Sequence, residues 1–219
     1  MANISANIKN LKERQSFYFK LKLSVLIVFT WFVVELLDNM FKLGLENYGL
    51  KPKSVEGLIG ILTFPFLHGD WNHLLSNASS AIILFTGLFV FHTRKSLLYL
   101  LIMYLASGIL LWFIGQSGTN HIGASGLIYA VAFFLFVGSV REGNRNSMAL
   151  SFFIILMYGS MIWGLTPFTV QANVSWEGHL SGAIIGVILA LYVYKDYIKP
   201  QELYTEDDRP FFERHPIDI

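Results

Sequence analysis

The sequence contains no cysteine, so disulfides, thiolate metal sites and cysteine nucleophiles are all excluded. Charge is also scarce, because Asp, Glu, Lys and Arg make up only 14% of the 219 residues, against about a quarter in an ordinary soluble domain. The net charge of +1 gives no reason to expect a nucleic-acid partner. No internal repeat is visible, which argues against a transporter built from inverted repeats.

Apolar and aromatic side chains are abundant. Hydrophobic residues make up 54% of the chain, and its 19 Phe, ten Tyr and five Trp suit a protein in a lipid bilayer with aromatic anchors at both interfaces. Six apolar stretches come near the ~20 residues that cross ~30 Å of hydrocarbon, although two are short. They cover roughly residues 23–41, 73–93, 97–115, 125–140, 147–165 and 178–194. The sequence therefore predicts an all-α membrane protein with a bundle of six transmembrane helices.

The apolar stretches divide the chain into three parts. Residues 1–22 are predicted to be a cytoplasmic N-terminal segment, residues 23–195 the six-helix core, and residues 196–219 a short cytoplasmic tail. The longest joint, residues 42–72, is predicted to lie at the interface without crossing. If the chain crosses the membrane six times, thirteen of the 16 Lys and Arg residues lie on the same side as the N-terminus. This positive-inside bias predicts that both termini lie in the cytoplasm.

Four polar side chains fall inside or beside the apolar stretches, where polarity is costly and usually functional. Ser125 lies 16 residues before Arg141, and His179 lies 16 residues before Lys195. Both basic residues mark the cytoplasmic end of their helix. At ~1.5 Å per residue, Ser125 and His179 each stand roughly 24 Å above the cytoplasmic face. The same count places Asn77 at about 25 Å and His73 one helical turn higher. Three helices thus place polar groups at one level, which predicts a water-accessible pocket open to the outer side.

Small residues accompany these polar groups. They recur every four residues in the sixth stretch and cluster at the start of the fourth: Gly178, Gly182, Gly186 and Ala190, with Ala124, Gly126 and Ala130. Such spacing lets helix backbones approach closely in lipid. We therefore expect Ser125 to be brought towards His179.

The polar groups have the chemistry of a hydrolase. A serine hydroxyl becomes a nucleophile when a base takes its proton, and because imidazole is a suitable base, His179 is the candidate for this role. Ser125 opens a helix, so free backbone N–H groups and the positive end of the helix dipole lie nearby for an oxyanion. His73 and Asn77, at i and i+4, share a helix face and can both donate hydrogen bonds. No acidic residue is an obvious third member, which indicates a Ser–His dyad.

Three motifs in this order resemble those of the rhomboid intramembrane serine proteases. GASG at 123–126 resembles their G-x-S-G, HGDWNHLLSN at 68–77 resembles their H-x-x-x-x-H-x-x-x-N, and GHLSGAIIG at 178–186 resembles their final-helix histidine with G-x-x-x-G. The resemblance covers about residues 23–195 and implies the same six-helix fold. It also implies cleavage of transmembrane protein substrates in the bilayer, without a cofactor or a metal.

The resemblance implies a role for each matching residue. Ser125 would be the nucleophile and His179 the general base, while the Ser125 N–H, His73 and Asn77 would line the oxyanion hole. The supporting residues would be Gly123, Tyr129, His68, Gly126 and Gly182. Of these, Gly123 lets the outer loop approach the site, Tyr129 packs against the imidazole, and His68 shapes the first loop and the water route. The stretch 165–177 would cap the site beside a fifth helix that acts as a gate.

One feature departs from the family pattern. Its first loop often carries a Trp-Arg pair before the first histidine, whereas this chain reads EGLIGILTFPFLH at 56–68. The anchoring of this loop is therefore expected to differ.

Three alternatives remain beside the protease. A rhomboid-like pseudoprotease would bind membrane clients without cutting them, although such proteins typically lack the serine or the histidine. A transporter or channel would use the same pocket. A zinc site from His68, His73, His121 and His179 lacks an H-E-x-x-H helix, and Glu177 is the nearest candidate carboxylate. The absence of added domains favours a prokaryotic plasma membrane, and the sequence leaves substrate and oligomeric state open.

Overall fold

The computed structural model describes three ranges of the chain: residues 2–91, 95–169 and 174–195. For residues 2–9 only the backbone is described. His92, which the sequence suggests is interfacial, and the predicted tail, residues 196–219, lie outside the described residues. Within these ranges the chain is helical and forms no β-strand, as the sequence predicts.

Seven α-helices follow one another along the described chain. They are α1 (Ala2–Phe41), α2 (Gly60–Thr63), α3 (Trp71–Phe91), α4 (Ser96–Ile114), α5 (Ser125–Glu142), α6 (Arg145–Tyr158) and α7 (Trp176–Val193). Four short 3-10 helices lie between them, at Leu45–Tyr48, Glu56–Leu58, Phe64–Phe66 and Gly159–Leu165.

Among the described residues, five helical segments are long and apolar enough to cross a membrane. They are α3, α4, α5, α7 and the continuous stretch Arg145–Leu165, which joins α6 to the 3-10 helix that follows it. All five match predicted stretches to within a few residues. The remaining predicted stretch, 23–41, forms the C-terminal half of the 40-residue helix α1.

Helix α5 lies at the centre of the bundle and contacts α3, α4, α6 and α7. Large apolar side chains from several helices fill the interior, among them Trp31, Phe85, Phe89 and Phe134, each at most 2% exposed. The outer surface carries many exposed apolar side chains, as expected where lipid replaces water as the solvent. The bundle therefore has a packed interior and an apolar exterior.

Helices α5 and α7 pack closely against each other. A Cβ on Gly182 would overlap the carbonyl oxygen of Gly126 and lie 2.8 Å from its carbonyl carbon. One turn further, a Cβ on Gly186 would overlap the carbonyl oxygen of Ala130. The close approach predicted from the small residues is therefore present, and backbone touches backbone along it.

The joint between α1 and α3 contains only short helices, and its first part is fastened to the rest of the fold. Leu50 and His121 exchange two backbone hydrogen bonds, of 2.9 and 2.8 Å. The indole N–H of Trp112 donates to the carbonyl of Ser54 at 2.9 Å. The joint also packs tightly on itself, because a Cβ on Gly57 would overlap the carbonyl oxygen of Lys51. These contacts anchor the loop in the absence of the Trp-Arg pair.

Candidate active site

Ser125 is the first residue of α5, and the turn before it depends on Gly123. Gly123 has φ +103°, a left-handed conformation that side chains rarely adopt. Its N–H donates to the carbonyl of Phe64 at 2.8 Å. This bond connects the turn to the first loop, which is the joint between α1 and α3. As the first helical residue, Ser125 has an N–H without an intrahelical acceptor. The turn thus presents a hydroxyl and a backbone N–H side by side.

His179 lies in the first turn of α7, opposite Ser125. The helix begins after Ser175, whose hydroxyl oxygen accepts from the N–H of Gly178 at 3.1 Å. The imidazole is buried, and its Nε2 lies 2.9 Å from the hydroxyl oxygen of Ser125. The two residues that sequence reasoning paired are therefore within hydrogen-bond reach of each other.

The other side of the imidazole is held by an aromatic ring and by a backbone carbonyl. The ring of Tyr129 stacks on His179, with centroids 4.2 Å apart and planes 5° apart. The Tyr129 hydroxyl donates to the carbonyl of Met161 at 2.9 Å. The Nδ1 of His179 lies 3.0 Å from the carbonyl oxygen of Gly164. Tyr129 thus lies where the sequence predicts, whereas neither carbonyl was anticipated.

His73 and Asn77 approach the same turn from α3. A Cβ on Gly123 would lie 2.6 Å from the His73 ring and 3.5 Å from the Nδ2 of Asn77. Asn77 is 6% exposed, and its Nδ2 has no hydrogen-bond partner among the described residues. An unpaired buried donor is costly, so this amide is available for an acceptor that enters the site.

A cavity of about 730 Å³ joins these groups. Its walls come from the first loop, α3, the turn before α5, α5 itself, the end of α6 and the start of α7. Among its lining residues are Asp70, His73, Asn77, Ser125, Tyr129, Met157, Met161 and His179. The polar residues that the sequence places at one depth therefore border one cavity.

His68 lies behind His73, and it does not line the cavity. Its ring packs 5.1 Å from that of His73 and 5.8 Å from that of Trp31, centroid to centroid. Neither ring nitrogen has a hydrogen-bond partner among the described residues. Burial, aided by the neighbouring His73, lowers the pKa of His68 from 6.5 to about 4, although the nearby Phe66 backbone opposes this shift without forming a well-aligned hydrogen bond. His68 is therefore neutral at pH 7 and supports His73 by packing.

Acid is expected to destabilise the protein through His68. The unfolded chain takes up this proton near pH 6.5 and the folded chain near pH 4, so the unfolded state binds more protons between these values. The stabilisation is complete above about pH 6.5 and is lost as the pH falls towards 4, on the order of 3 kcal/mol in total. Thermal unfolding in detergent micelles at pH 7 and pH 4.5 measures it.

His68→Phe is the matched variant, because it keeps a ring against Trp31 and removes the titrating group. We expect the drop in melting temperature between pH 7 and pH 4.5 to be clearly smaller in this variant than in the wild type. An equal drop in both proteins would show that His68 is not the acid-sensitive group.

The sequence predicts an interfacial position for His121 with no assigned chemistry, and the structure shows its side chain buried and hydrogen-bonded. Its Nδ1 lies 2.6 Å from the hydroxyl oxygen of Ser175 and its Nε2 lies 2.7 Å from that of Thr119. Burial lowers the pKa of His121, and the nearby Glu177 opposes this shift. Because Ser175 caps α7, His121 helps to fix the start of the helix that carries His179.

Comparison with known proteins gives a match for most of the chain. The family model described as the Rhomboid domain matches residues 55–196. The chain is 32% identical over 165 residues to uncharacterized proteins of Mycobacterium tuberculosis and Mycobacterium bovis, a region that covers 73% of this chain and 69% of each relative. An uncharacterized protein of Mycobacterium leprae is also 32% identical over 165 residues, which cover 65% of its length. With the five apolar helical segments, the match makes this chain an integral multi-pass membrane protein.

Proposed function

The chain belongs to the rhomboid family, and on that premise we propose that it is a serine endopeptidase that cleaves transmembrane segments of other membrane proteins. The observation that carries the proposal is the 2.9 Å contact between the Ser125 hydroxyl and the His179 imidazole. The pair borders a cavity that also receives the His73 and Asn77 side chains. A nucleophile, a base and side-chain donors are the groups that acyl transfer needs.

In the proposed reaction, the Ser125 oxygen attacks the carbonyl carbon of the scissile peptide bond while Nε2 of His179 takes the hydroxyl proton. The negative charge on the former carbonyl oxygen is stabilised by the Ser125 N–H, the Asn77 amide and His73. The carbon–nitrogen bond then breaks, and the departing amine takes the proton from the imidazolium. This leaves the N-terminal part of the substrate as an ester on Ser125.

Water completes the cycle. His179 removes a proton from a water molecule in the cavity, the hydroxide oxygen attacks the ester carbonyl, and the Ser125 oxygen leaves and regains its proton. Residues from the outer loops line this cavity, which supports water access from the outer face. Because a helical amide is already hydrogen-bonded, the substrate helix must unwind locally at the cleaved bond, so we expect helix-weakening residues there.

The orientation and location of the protein form part of the same proposal. The positive-inside bias supports a cytoplasmic location for both termini, which puts the Ser125 end of α5 towards the outer face. The relatives from Mycobacterium species support a prokaryotic plasma membrane. The core, residues 23–195, would carry the active site and act on transmembrane protein substrates in the lipid bilayer, without a cofactor, a metal or a nucleic acid.

The test is covalent labelling with a fluorophosphonate, an electrophile that reacts with an activated serine hydroxyl. We expect the full-length wild-type protein in micelles to become labelled and Ser125→Ala to remain unlabelled. In liposomes, the wild type should cleave a reconstituted single-span substrate that Ser125→Ala leaves intact. A folded wild-type protein that neither labels nor cleaves would favour a pseudoprotease that binds membrane clients, or a transporter that uses the same cavity.

A further inference from the structure

The Nδ1 of His179 faces the carbonyl oxygen of Gly164 at 3.0 Å. A carbonyl oxygen can only accept a hydrogen bond, so a neutral imidazole must carry its proton on Nδ1. The lone pair of Nε2 then points at the Ser125 hydroxyl, 2.9 Å away. We propose that the Gly164 carbonyl is a positioning group that holds the histidine in its base-competent tautomer. This inference rests on the proposed protease function.

In serine proteases with a triad, a carboxylate performs this task. Here no carboxylate of the described residues hydrogen-bonds the His179 ring, and the sequence shows no third acidic member. The backbone carbonyl takes that position, and it needs no ionised group within the bilayer, where burying a charge is costly. The dyad is thus completed by a main-chain atom.

The carbonyl belongs to the 3-10 helix Gly159–Leu165, and a second contact seats this segment. The Tyr129 hydroxyl donates to the carbonyl of Met161 at 2.9 Å, while the same tyrosine ring stacks on the imidazole. One aromatic side chain therefore contacts both the histidine and the segment that orients it.

Glycine at position 164 is required for this approach. A Cβ there would overlap the Tyr129 hydroxyl oxygen and lie 3.1 Å from the Nδ1 of His179. Gly159, in the same segment, has only the Ile155 side chain nearby, at 3.8 Å. The two glycines form a matched pair, because a methyl group is obstructed at one position and accommodated at the other.

Much of the stretch that carries Gly164 is exposed on the outside of the bundle. In the most apolar 18-residue window of Arg145–Leu165, 11% of the residues are buried, against 61% for α5. The end of this segment packs against the core through Met161 and also contacts α7, and these contacts, with those to Tyr129 and His179, hold the Gly164 carbonyl in place. It follows that His179 is a competent base only while residues 161–164 keep their contacts with Tyr129 and His179. A substrate that enters past α6 must therefore leave this segment in place.

The experiment combines fluorophosphonate labelling with nitrogen-15 NMR of the histidine rings in micelles. The His179 signals are assigned by their loss in His179→Asn. In the wild type we expect His179 to be the Nδ1–H tautomer. In Gly164→Ala we expect a shift towards the Nε2–H tautomer and a labelling rate about 10- to 100-fold lower, whereas Gly159→Ala should stay within about twofold of the wild type.

Two results would overturn the inference. One is a wild-type His179 in the Nε2–H tautomer, which needs no variant to observe and therefore does not depend on Gly164→Ala folding. The other is a folded Gly164→Ala protein with the wild-type tautomer and labelling rate. A wild type with the Nδ1–H tautomer that never labels would instead overturn the protease proposal, so the two failures are distinguishable.

Discussion

Replacing His179 with alanine is expected to lower the rate of substrate cleavage by at least about 10³-fold. The imidazole is the group 2.9 Å from the Ser125 hydroxyl, and a serine without a base is a poor nucleophile at neutral pH. The imidazole also protonates the leaving amine, so two steps fail together. Cleavage of a single-span substrate in proteoliposomes under single-turnover conditions measures the loss.

Added imidazole separates the loss of the base from a loss of fold. His179→Ala leaves a space between the ring of Tyr129 and the hydroxyl of Ser125, within a cavity large enough to admit a free imidazole. We expect millimolar imidazole to restore part of the activity of His179→Ala and none of that of Ser125→Ala. Wild-type activity in His179→Ala would remove the histidine from the mechanism.

The transmembrane helices could be predicted from the sequence because lipid imposes a simple rule. A segment that crosses the bilayer must satisfy its backbone internally and present apolar side chains, so it appears as a long apolar run. The observed bounds of α4 and α7 differ from the predicted stretches by one or two residues. The meeting of α5 and α7 could also be predicted, because small residues spaced by four let helix backbones approach closely in lipid.

The partner of Nδ1 on His179 could not be predicted. Every residue carries a backbone carbonyl, so a carbonyl acceptor leaves no mark on residue type. Gly164 is one of 18 glycines, and its neighbours in the sequence resemble any apolar helix end. The hydrogen bond depends on where the chain leaves α6, and that path is set by tertiary packing.

The role of His121 could not be predicted from the sequence for a different reason. Its partners Leu50 and Ser175 lie 71 and 54 positions away along the chain, and no local pattern connects them. A histidine in a short polar joint is ordinarily exposed, which is why the sequence favours the interface for it. Only the folded chain shows that it ties the first loop to the start of α7.

The spacing of the dyad depends on the same helix contact that the small residues create. Gly126 follows Ser125 directly, and Gly182 lies three residues after His179, about one helical turn. A Cβ on Gly182 would overlap the carbonyl oxygen of Gly126 and lie 3.2 Å from the N–H nitrogen of Ala130. Both neighbours are backbone atoms, which cannot rotate away as a flexible side chain would.

Gly182→Ala is therefore expected to force α5 and α7 apart by roughly 1 Å or more. We expect cleavage to fall at least about a hundredfold, because a displacement of this size misplaces the base relative to the nucleophile. The free energy of unfolding should fall on the order of 2 kcal/mol, the usual cost of an overpacked contact. Single-turnover cleavage and thermal unfolding in the same micelles give both values.

Gly87→Ala is the control, since a Cβ at that position in α3 would meet Leu135 at 3.5 Å, an ordinary contact distance. It should cleave and unfold like the wild type. If Gly182→Ala also kept wild-type cleavage, the two helices could part without separating Ser125 from His179, and helix contact would not set the dyad distance. A large loss of cleavage with a small loss of stability would instead show that the reaction is more sensitive than the fold to this contact.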